Sequence, residues 1–135
     1  MNAADFIRVI GLSHLLQPPL TWLLAGPHGV DLRAAITSRT PLGTQVMTNM
    51  AFASVALPTA LGCLLAAYSS DALQAGPVRA LGLLLAAFWS GRLYRQLFVL
   101  GPRWPASPRG APMLHWLLAL IFAIQGPCLG WLILS

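Results

Sequence analysis

Two arginines lie within a stretch of the sequence that is otherwise largely apolar. Arg92 and Arg95 occur three residues apart in FWSGRLYRQLFVL, residues 88–100. A guanidinium keeps its proton and needs partners that are negatively charged or that accept hydrogen bonds. In apolar surroundings the pair therefore indicates a site that binds an anionic group.

A second group of polar side chains interrupts the first and last apolar stretches. His14, Gln17 and Thr21 fall on one side of a helix that turns by about 100° per residue. Gln125 lies in the last stretch, and a proline follows each glutamine two residues later. Two helices interrupted in this way can surround a binding site at the middle of a membrane. The competing explanation is that two short apolar segments resemble each other by chance, and we favour chance over a paired binding site.

The chemistry open to these residues is binding. A lone histidine in an apolar helix most often hydrogen-bonds a neighbouring helix, and we expect this of His14. The alternative is that His14 is the axial ligand of a tetrapyrrole, a haem or chlorin whose acidic groups contact Arg92 or Arg95. A quinone is the other cofactor considered. His115 lies about 15 Å from His14 in depth, so ligation by two histidines of one chain is not expected.

Catalytic and metal-binding patterns are missing from the sequence. The acids are Asp5, Asp31 and Asp71, and none lies within an apolar stretch, so an intramembrane proton relay has no carboxylates to use. A zinc site would need several histidine, cysteine or carboxylate ligands. Cys63 and Cys128 are expected to pack as small apolar side chains. We nominate no catalytic residue and no metal ligand, and we expect a protein that is not an enzyme.

The composition indicates which elements position these residues. Hydrophobic residues make up 57% of the 135 residues and charged residues 8%, whereas soluble domains have roughly 45–50% and 25%. The net charge of +5 comes from eight arginines, with no lysine. These arginines mark the ends of apolar stretches instead of clustering on a soluble nucleic-acid-binding face. The sequence therefore predicts an integral membrane protein, and we set nucleic acid aside as a partner.

Four apolar stretches are each long enough to cross a membrane, which takes about 20 residues. They cover residues 6–26, 47–68, 78–100 and 114–134. Because the connections are short, neighbouring helices should run antiparallel. The predicted fold is all-α, a single domain over residues 1–135 with four transmembrane helices in an up-down bundle. Asp31 is a possible N-cap for a short interfacial helix in the first connection, which Pro41 would end.

The arginines and aromatic residues indicate an orientation in the membrane. Connections one and three hold two arginines each. The positive-inside rule places these connections in the cytoplasm and both termini outside, and a bacterial inner membrane is the expected setting. Aromatic belts would be formed by Trp22, Trp104 and Trp116 on the cytoplasmic face and by Trp131 and Tyr68 on the other.

Depth brings the candidate residues into one broad layer. His14, Gln17 and Gln125 lie about 12–16 Å from the face that carries the termini, and Arg92 and Arg95 about 21–25 Å from it. This layer is the binding site that we expect.

A competing hypothesis has equal support from the sequence. Arg92 and Arg95 can snorkel towards head-group phosphates, with Tyr94 and Gln96 at the interface. Both hypotheses leave the two arginines facing an anionic group.

Two functional hypotheses from different classes follow. The first is a non-catalytic integral-membrane subunit or scaffold that packs against other membrane proteins, or against copies of itself, and binds an anionic lipid or cofactor group through Arg92 and Arg95. The short connections favour it because they leave little soluble surface for an independent activity. The second is a small oligomeric membrane carrier in which His14, Gln17, Arg92 and Gln125 line a midplane site for an anionic or amphiphilic substrate. A third is an enzyme that acts on a lipid or quinone.

Overall fold

The structure, a computed structural model, describes residues 2–20, 41–100 and 111–135. These residues are helical apart from short turns and include no strand, which confirms the all-α class for this part of the chain. The α-helices are α1 (Ala3–Ser13), α2 (Pro41–Ala67), α3 (Pro77–Tyr94), α4 (Ala111–Ala123) and α5 (Leu129–Leu134). A π turn at Ile124–Cys128 joins α4 to α5, a second at Arg95–Leu100 extends α3, and 3-10 turns occur at His14–Leu16 and Asp71–Leu73.

The helices begin earlier than the apolar pattern predicts. α1 starts three residues before residue 6, because the Asn2 side chain accepts a hydrogen bond from the Asp5 backbone N–H and the Asp5 carboxylate accepts one from the Asn2 N–H, both at 2.9 Å. α2 starts at Pro41 and not at residue 47. Proline fits the first position of a helix, where its missing N–H costs no hydrogen bond. α4 likewise starts at Ala111 and not at residue 114.

Prolines reshape the end of the first helix. Pro18 and Pro19 have no backbone N–H, so the carbonyls four residues earlier lose their helical donors. The chain tightens into the 3-10 turn His14–Leu16, and residues 17–20 are helical again. The His14 carbonyl accepts the Gln17 N–H of this turn instead and lies 3.3 Å from the Thr59 hydroxyl of α2. That hydroxyl donates to the Val55 carbonyl of its own helix at 2.8 Å.

Helices that are adjacent in sequence pack against each other in opposite directions. Two glycines allow close approach of α1 and α2: a Cβ on Gly11 would lie 2.6 Å from the Gly62 carbonyl oxygen, and one on Gly62 would lie 2.5 Å from His14. α3 packs against the helix formed by α4, the π turn and α5, called the C-terminal helix below. As residue numbers rise along α3, the numbers of their partners on the C-terminal helix fall, so the two helices are antiparallel. The pairs are Gly82 with Ile133, Ala86 with Gly130, Ser90 with Gly126, and Gln96 with His115.

The interior is filled by apolar side chains from all the helices. α1 contacts α2 and the C-terminal helix, and α3 contacts the same two helices, so the four segments enclose one core. Its fully buried members include Ile7, Leu65, Trp89, Leu129 and Ile133. The stacked rings of Trp89 and Phe122, with centroids 5.3 Å apart, fill the middle.

Large apolar side chains also cover the outside of the described helices. One helix, His115–Leu134, is long and apolar enough to cross a membrane, and Phe52–Ala67 is a shorter apolar helix. A membrane location is thus supported by the length and composition of one helix. The other three crossings stay predictions.

Several predicted features lie outside the described residues. They are the end of the first predicted helix (residues 21–26), the interfacial helix at Asp31, Thr21, the belt residues Trp22 and Trp104, and the arginines of connections one and three, Arg33, Arg39, Arg103 and Arg109.

Candidate functional site

His14 lies at the centre of the bundle and has no exposed surface. Its Nε2 accepts a hydrogen bond from the Trp89 indole N–H at 2.8 Å, and its Nδ1 lies 2.9 Å from the Ile10 carbonyl oxygen. Because an indole nitrogen only donates, Nε2 carries the lone pair and Nδ1 donates its hydrogen to Ile10. The predicted bond to a neighbouring helix is confirmed. Both ring nitrogens are occupied, so His14 could bind a tetrapyrrole iron only if the Trp89 bond broke.

Gln17 and Gln125 hydrogen-bond each other across the interior. Gln17 Nε2 donates to Gln125 Oε1 at 2.8 Å, and Gln125 Nε2 donates to Ser13 Oγ at 2.9 Å. The Ser13 hydroxyl donates to the Ile10 carbonyl at 2.6 Å. Since its hydrogen is used there, Ser13 must accept from the amide nitrogen of Gln125, and this orients both amides. The chain of bonds ties α1 to the C-terminal helix.

These side chains form one hydrogen-bonded unit, buried except for the half-buried Ser13. We call Ser13, His14, Gln17, Trp89 and Gln125 the central network. Gln125 is 1% exposed and Gln17 8% exposed. Buried polar groups are costly unless they are hydrogen-bonded, and here each residue of the network has a partner within it. The network therefore specifies how α1, α3 and the C-terminal helix meet.

The π turn places Gln125 inside the bundle. Pro127 lacks a backbone N–H and so interrupts the regular α-helical bonding. Gly126 allows α3 to pack tightly at the same level, because a Cβ there would lie 2.6 Å from the Ser90 backbone nitrogen. The Gln-x-Pro pattern of the sequence thus brings the Gln125 amide to α1, where it meets Gln17.

A second polar contact lies just beyond the C-terminal end of α3, in the π turn Arg95–Leu100. The Gln96 amide nitrogen is 2.8 Å from His115 Nδ1. Gln96 is 3% exposed and His115 8% exposed. Gln96 therefore lies inside the bundle, where it joins the π turn after α3 to the C-terminal helix. The depth of Gln96 at the membrane interface, which belongs to the snorkelling hypothesis, stays a prediction.

Arg92 is half-buried and folds back along its own helix. Its Cζ lies 5.2 Å from the centre of the Phe88 ring and 5.7 Å from that of Trp89, within the range of cation–π attraction. Both rings precede Arg92 by one helical turn. The guanidinium therefore points away from the nearer end of α3, whereas snorkelling would extend it towards that end.

Arg95 is exposed, one turn beyond Arg92. The two cations lie three residues apart on one helix, a spacing at which like charges repel each other. Among the residues that the structure describes, neither has an ion pair or a hydrogen-bonding partner. The pair thus carries positive charge that no acid of the described residues neutralises.

The structure brings part of the predicted site together. His14, Gln17 and Gln125 belong to the central network and bond one another through it. Arg92 borders the network, which it contacts at the Trp89 ring, and Arg95 lies outside it. The predicted site is therefore two adjacent features: a satisfied polar interior and a pair of cations beside it.

Two members of the central network were not expected from the sequence, Trp89 and Ser13. Trp89 shares a helical face with Leu85 and Gln96 at spacings of four and seven residues, and this periodicity is the signal that points it inward. Ser13 precedes His14 directly, and its spacing of four from Gln17 is the comparable signal. The two cysteines, Cys63 and Cys128, are free thiols.

Comparisons with known proteins add no relative. No protein-family model, no curated protein and no solved structure matches this chain. In the described residues, no group of three or more histidine, cysteine or acidic side chains is arranged to hold a metal ion.

Proposed function

We propose that this protein is a non-catalytic integral-membrane subunit or scaffold. Its four membrane-crossing helices form a bundle that packs against other membrane proteins. Arg92 and Arg95 are its attachment point for an anionic group of a lipid, a cofactor or a neighbouring protein. The arginine-rich first and third connections face the cytoplasm in this proposal, and both termini face the other side.

The observation that carries the proposal is that hydrogen-bonded polar side chains are buried while many large apolar side chains are exposed. Glutamine and histidine are buried in hydrogen bonds, while Phe52 and Trp131 are each 74% exposed. Soluble monomers rarely expose large continuous apolar patches. Lipid chains solvate such surfaces, and in lipid the helices associate through small residues and interhelical hydrogen bonds. Gly11, Gly62 and the central network supply both.

The central network favours a scaffold over a carrier. In the carrier hypothesis His14, Gln17 and Gln125 face a substrate at the middle of the membrane. In the structure these side chains bond one another or Trp89 and Ser13, and all are at least nine-tenths buried. A substrate would have to break these bonds to reach them. The described part of the bundle gains packing specificity from the network.

The first test is extraction and purification. The full-length protein should stay with membranes in alkaline carbonate and should leave them only in detergent. After purification in mild detergent, native mass spectrometry should find it with bound anionic lipid or a partner protein, and Arg92→Gln/Arg95→Gln should reduce that bound fraction. A lone monomer free of lipid, pigment and partners would remove the support for a subunit.

The second test separates scaffold from carrier. Vesicles containing the purified protein should show no uptake of small organic anions above that of empty vesicles. Uptake that Arg92→Gln abolishes, while the variant still unfolds at the wild-type temperature, would establish the carrier instead.

A further inference from the structure

Arg92 lacks a negative partner in the part of the chain that the structure describes. Asp5 lies in the first turn of α1 and Asp71 in the turn between α2 and α3, both at the opposite end of the bundle from the C-terminal end of α3. Asp31, the remaining acid of the sequence, lies outside the described residues. A charged side chain inside a membrane is costly and pairs with an opposite charge or with carbonyl oxygens.

The guanidinium of Arg92 lies at the middle of its helix. The rings beneath it belong to residues 88 and 89, and α3 with its π turn covers residues 77–100. At about 1.5 Å per residue the guanidinium is about 17 Å from either end of this segment. The hydrocarbon layer is about 30 Å thick, so lipid phosphates begin about 15 Å from its centre. An anion that meets Arg92 in this position must itself lie within the hydrocarbon layer.

Among the described residues, nothing covers the surface of α3 at Gly91, beside Arg92. Ala87 and Gly91 are exposed and four residues apart, and a Cβ added to Gly91 would meet nothing within 4 Å. Small residues at this spacing let two membrane helices approach closely. Charge identifies the occupant, and the small residues explain how it can come near.

We infer that Arg92 pairs with a carboxylate near the middle of a transmembrane helix of another membrane protein, which packs on α3 beside Ala87 and Gly91. The inference rests on the proposed function and names the partner of the same site. A second copy of this chain does not meet the requirement, because its acids lie outside the four apolar stretches. Arg95, exposed and closer to the helix end, is left to contact head-group phosphates.

The experiment uses the full-length chain and a defined probe. The probe is a leucine-alanine transmembrane peptide with one glutamate at its midpoint, compared with the same peptide carrying glutamine. Förster transfer between labelled protein and labelled peptide is measured in vesicles of zwitterionic lipid at mildly alkaline pH. The glutamate peptide should bind about tenfold more tightly, as a charge-assisted interhelical bond allows.

Variants of the protein assign the preference to Arg92. Arg92→Gln should remove the preference for the glutamate peptide, and Arg95→Gln should keep it. Gly91→Leu fills the open surface without touching the core and should weaken binding of the glutamate peptide while the unfolding temperature stays at the wild-type value. Equal binding of both peptides to the wild type, or a preference that survives Arg92→Gln, overturns the inference.

A lipid arm separates this inference from the proposed function. The same proteins are placed in vesicles containing phosphatidylglycerol, and bound lipid is counted by native mass spectrometry. Lipid binding that depends on Arg92, without a preference for the glutamate peptide, overturns the carboxylate partner and leaves the proposed anion-binding subunit standing. Loss of both kinds of binding rejects both.

Discussion

The hydrogen bond between Trp89 and His14 connects α1 to α3 where neither side chain is exposed to more than 1%. It also decides the tautomer of the histidine, because Nε2 can accept from the indole only while it carries no hydrogen. Nitrogen-15 NMR of the imidazole in detergent micelles should therefore find a neutral ring with its hydrogen on Nδ1. A hydrogen on Nε2 would contradict the bond.

Replacing the indole tests what this bond contributes to stability. Trp89→Phe keeps an aromatic ring against Phe122 and removes the N–H, so His14 Nε2 loses its buried donor. We expect the free energy of unfolding to fall by about 1–3 kcal/mol, measured by denaturant titration in detergent. Trp131→Phe is the matched control, since Trp131 is 74% exposed, and it should change stability little. Equal effects from the two substitutions would show that the indole bond adds nothing.

The bond between the two glutamines can be measured by a double-mutant cycle. Gln17→Leu leaves the Gln125 carbonyl oxygen without its donor, and Gln125→Leu leaves the Gln17 amide nitrogen without its acceptor, whereas the double variant removes both groups. The two single changes should therefore sum to more than the double change, with a coupling of about 1 kcal/mol. Additive effects on the unfolding free energy would mean that the two amides act independently.

At the scale of elements, close packing of α3 on the C-terminal helix depends on Gly126. Gly126→Ala would place a Cβ 2.6 Å from the Ser90 backbone nitrogen, and backbone cannot rotate away as a flexible side chain can. We expect a loss of about 1–3 kcal/mol and a lower unfolding temperature. Gly130→Ala, one turn later, would meet only the Ala86 Cβ at 3.5 Å and should be tolerated. Similar melting of the two variants would contradict this account.

Helix positions were the part of the fold most open to prediction. Composition and proline placement locate all the apolar segments, and a repeated pattern is also visible: LGCLLAA at residues 61–67 and LGLLLAA at residues 81–87. The structure buries the corresponding positions in both copies, Gly62 with Gly82 and Leu65 with Leu85. Such periodic features depend on local spacing, which a sequence displays directly.

The candidate site was predictable only in part. Polar residues in apolar helices point inward because lipid offers them no hydrogen bonds, so His14, Gln17 and Gln125 could be placed inside. Which groups they bond depends on the rotation of each helix, and a shift of one residue turns a side chain by about 100°. For this reason Trp89 was missed, and the direction of Arg92 stayed open between two hypotheses.

At the scale of the whole molecule, the described helices expose many large apolar side chains, as expected of a surface that contacts lipid. Apolar side chains such as Leu57, Leu84 and Leu120 project outward from different helices, and each is more than half exposed. The polar side chains of the central network are bonded to one another. Arg92 and Arg95 stand out among the charged residues of the described helices because they lie beside the central network, well away from the acids Asp5 and Asp71.

Four crossings place both termini on one side of the membrane, and cysteine labelling tests this directly. In a chain whose Cys63 and Cys128 are replaced by alanine, single cysteines at Asn2, Ser70 and Ser135 should react with a membrane-impermeant maleimide from the outer side of intact cells. A cysteine at Ser107, in the third connection, should react only after permeabilisation, because it lies beyond an odd number of crossings from each of the other three. Equal labelling of all four in a soluble fraction would exclude a membrane bundle, whereas opposite sides for Asn2 and Ser135 would exclude an even number of crossings.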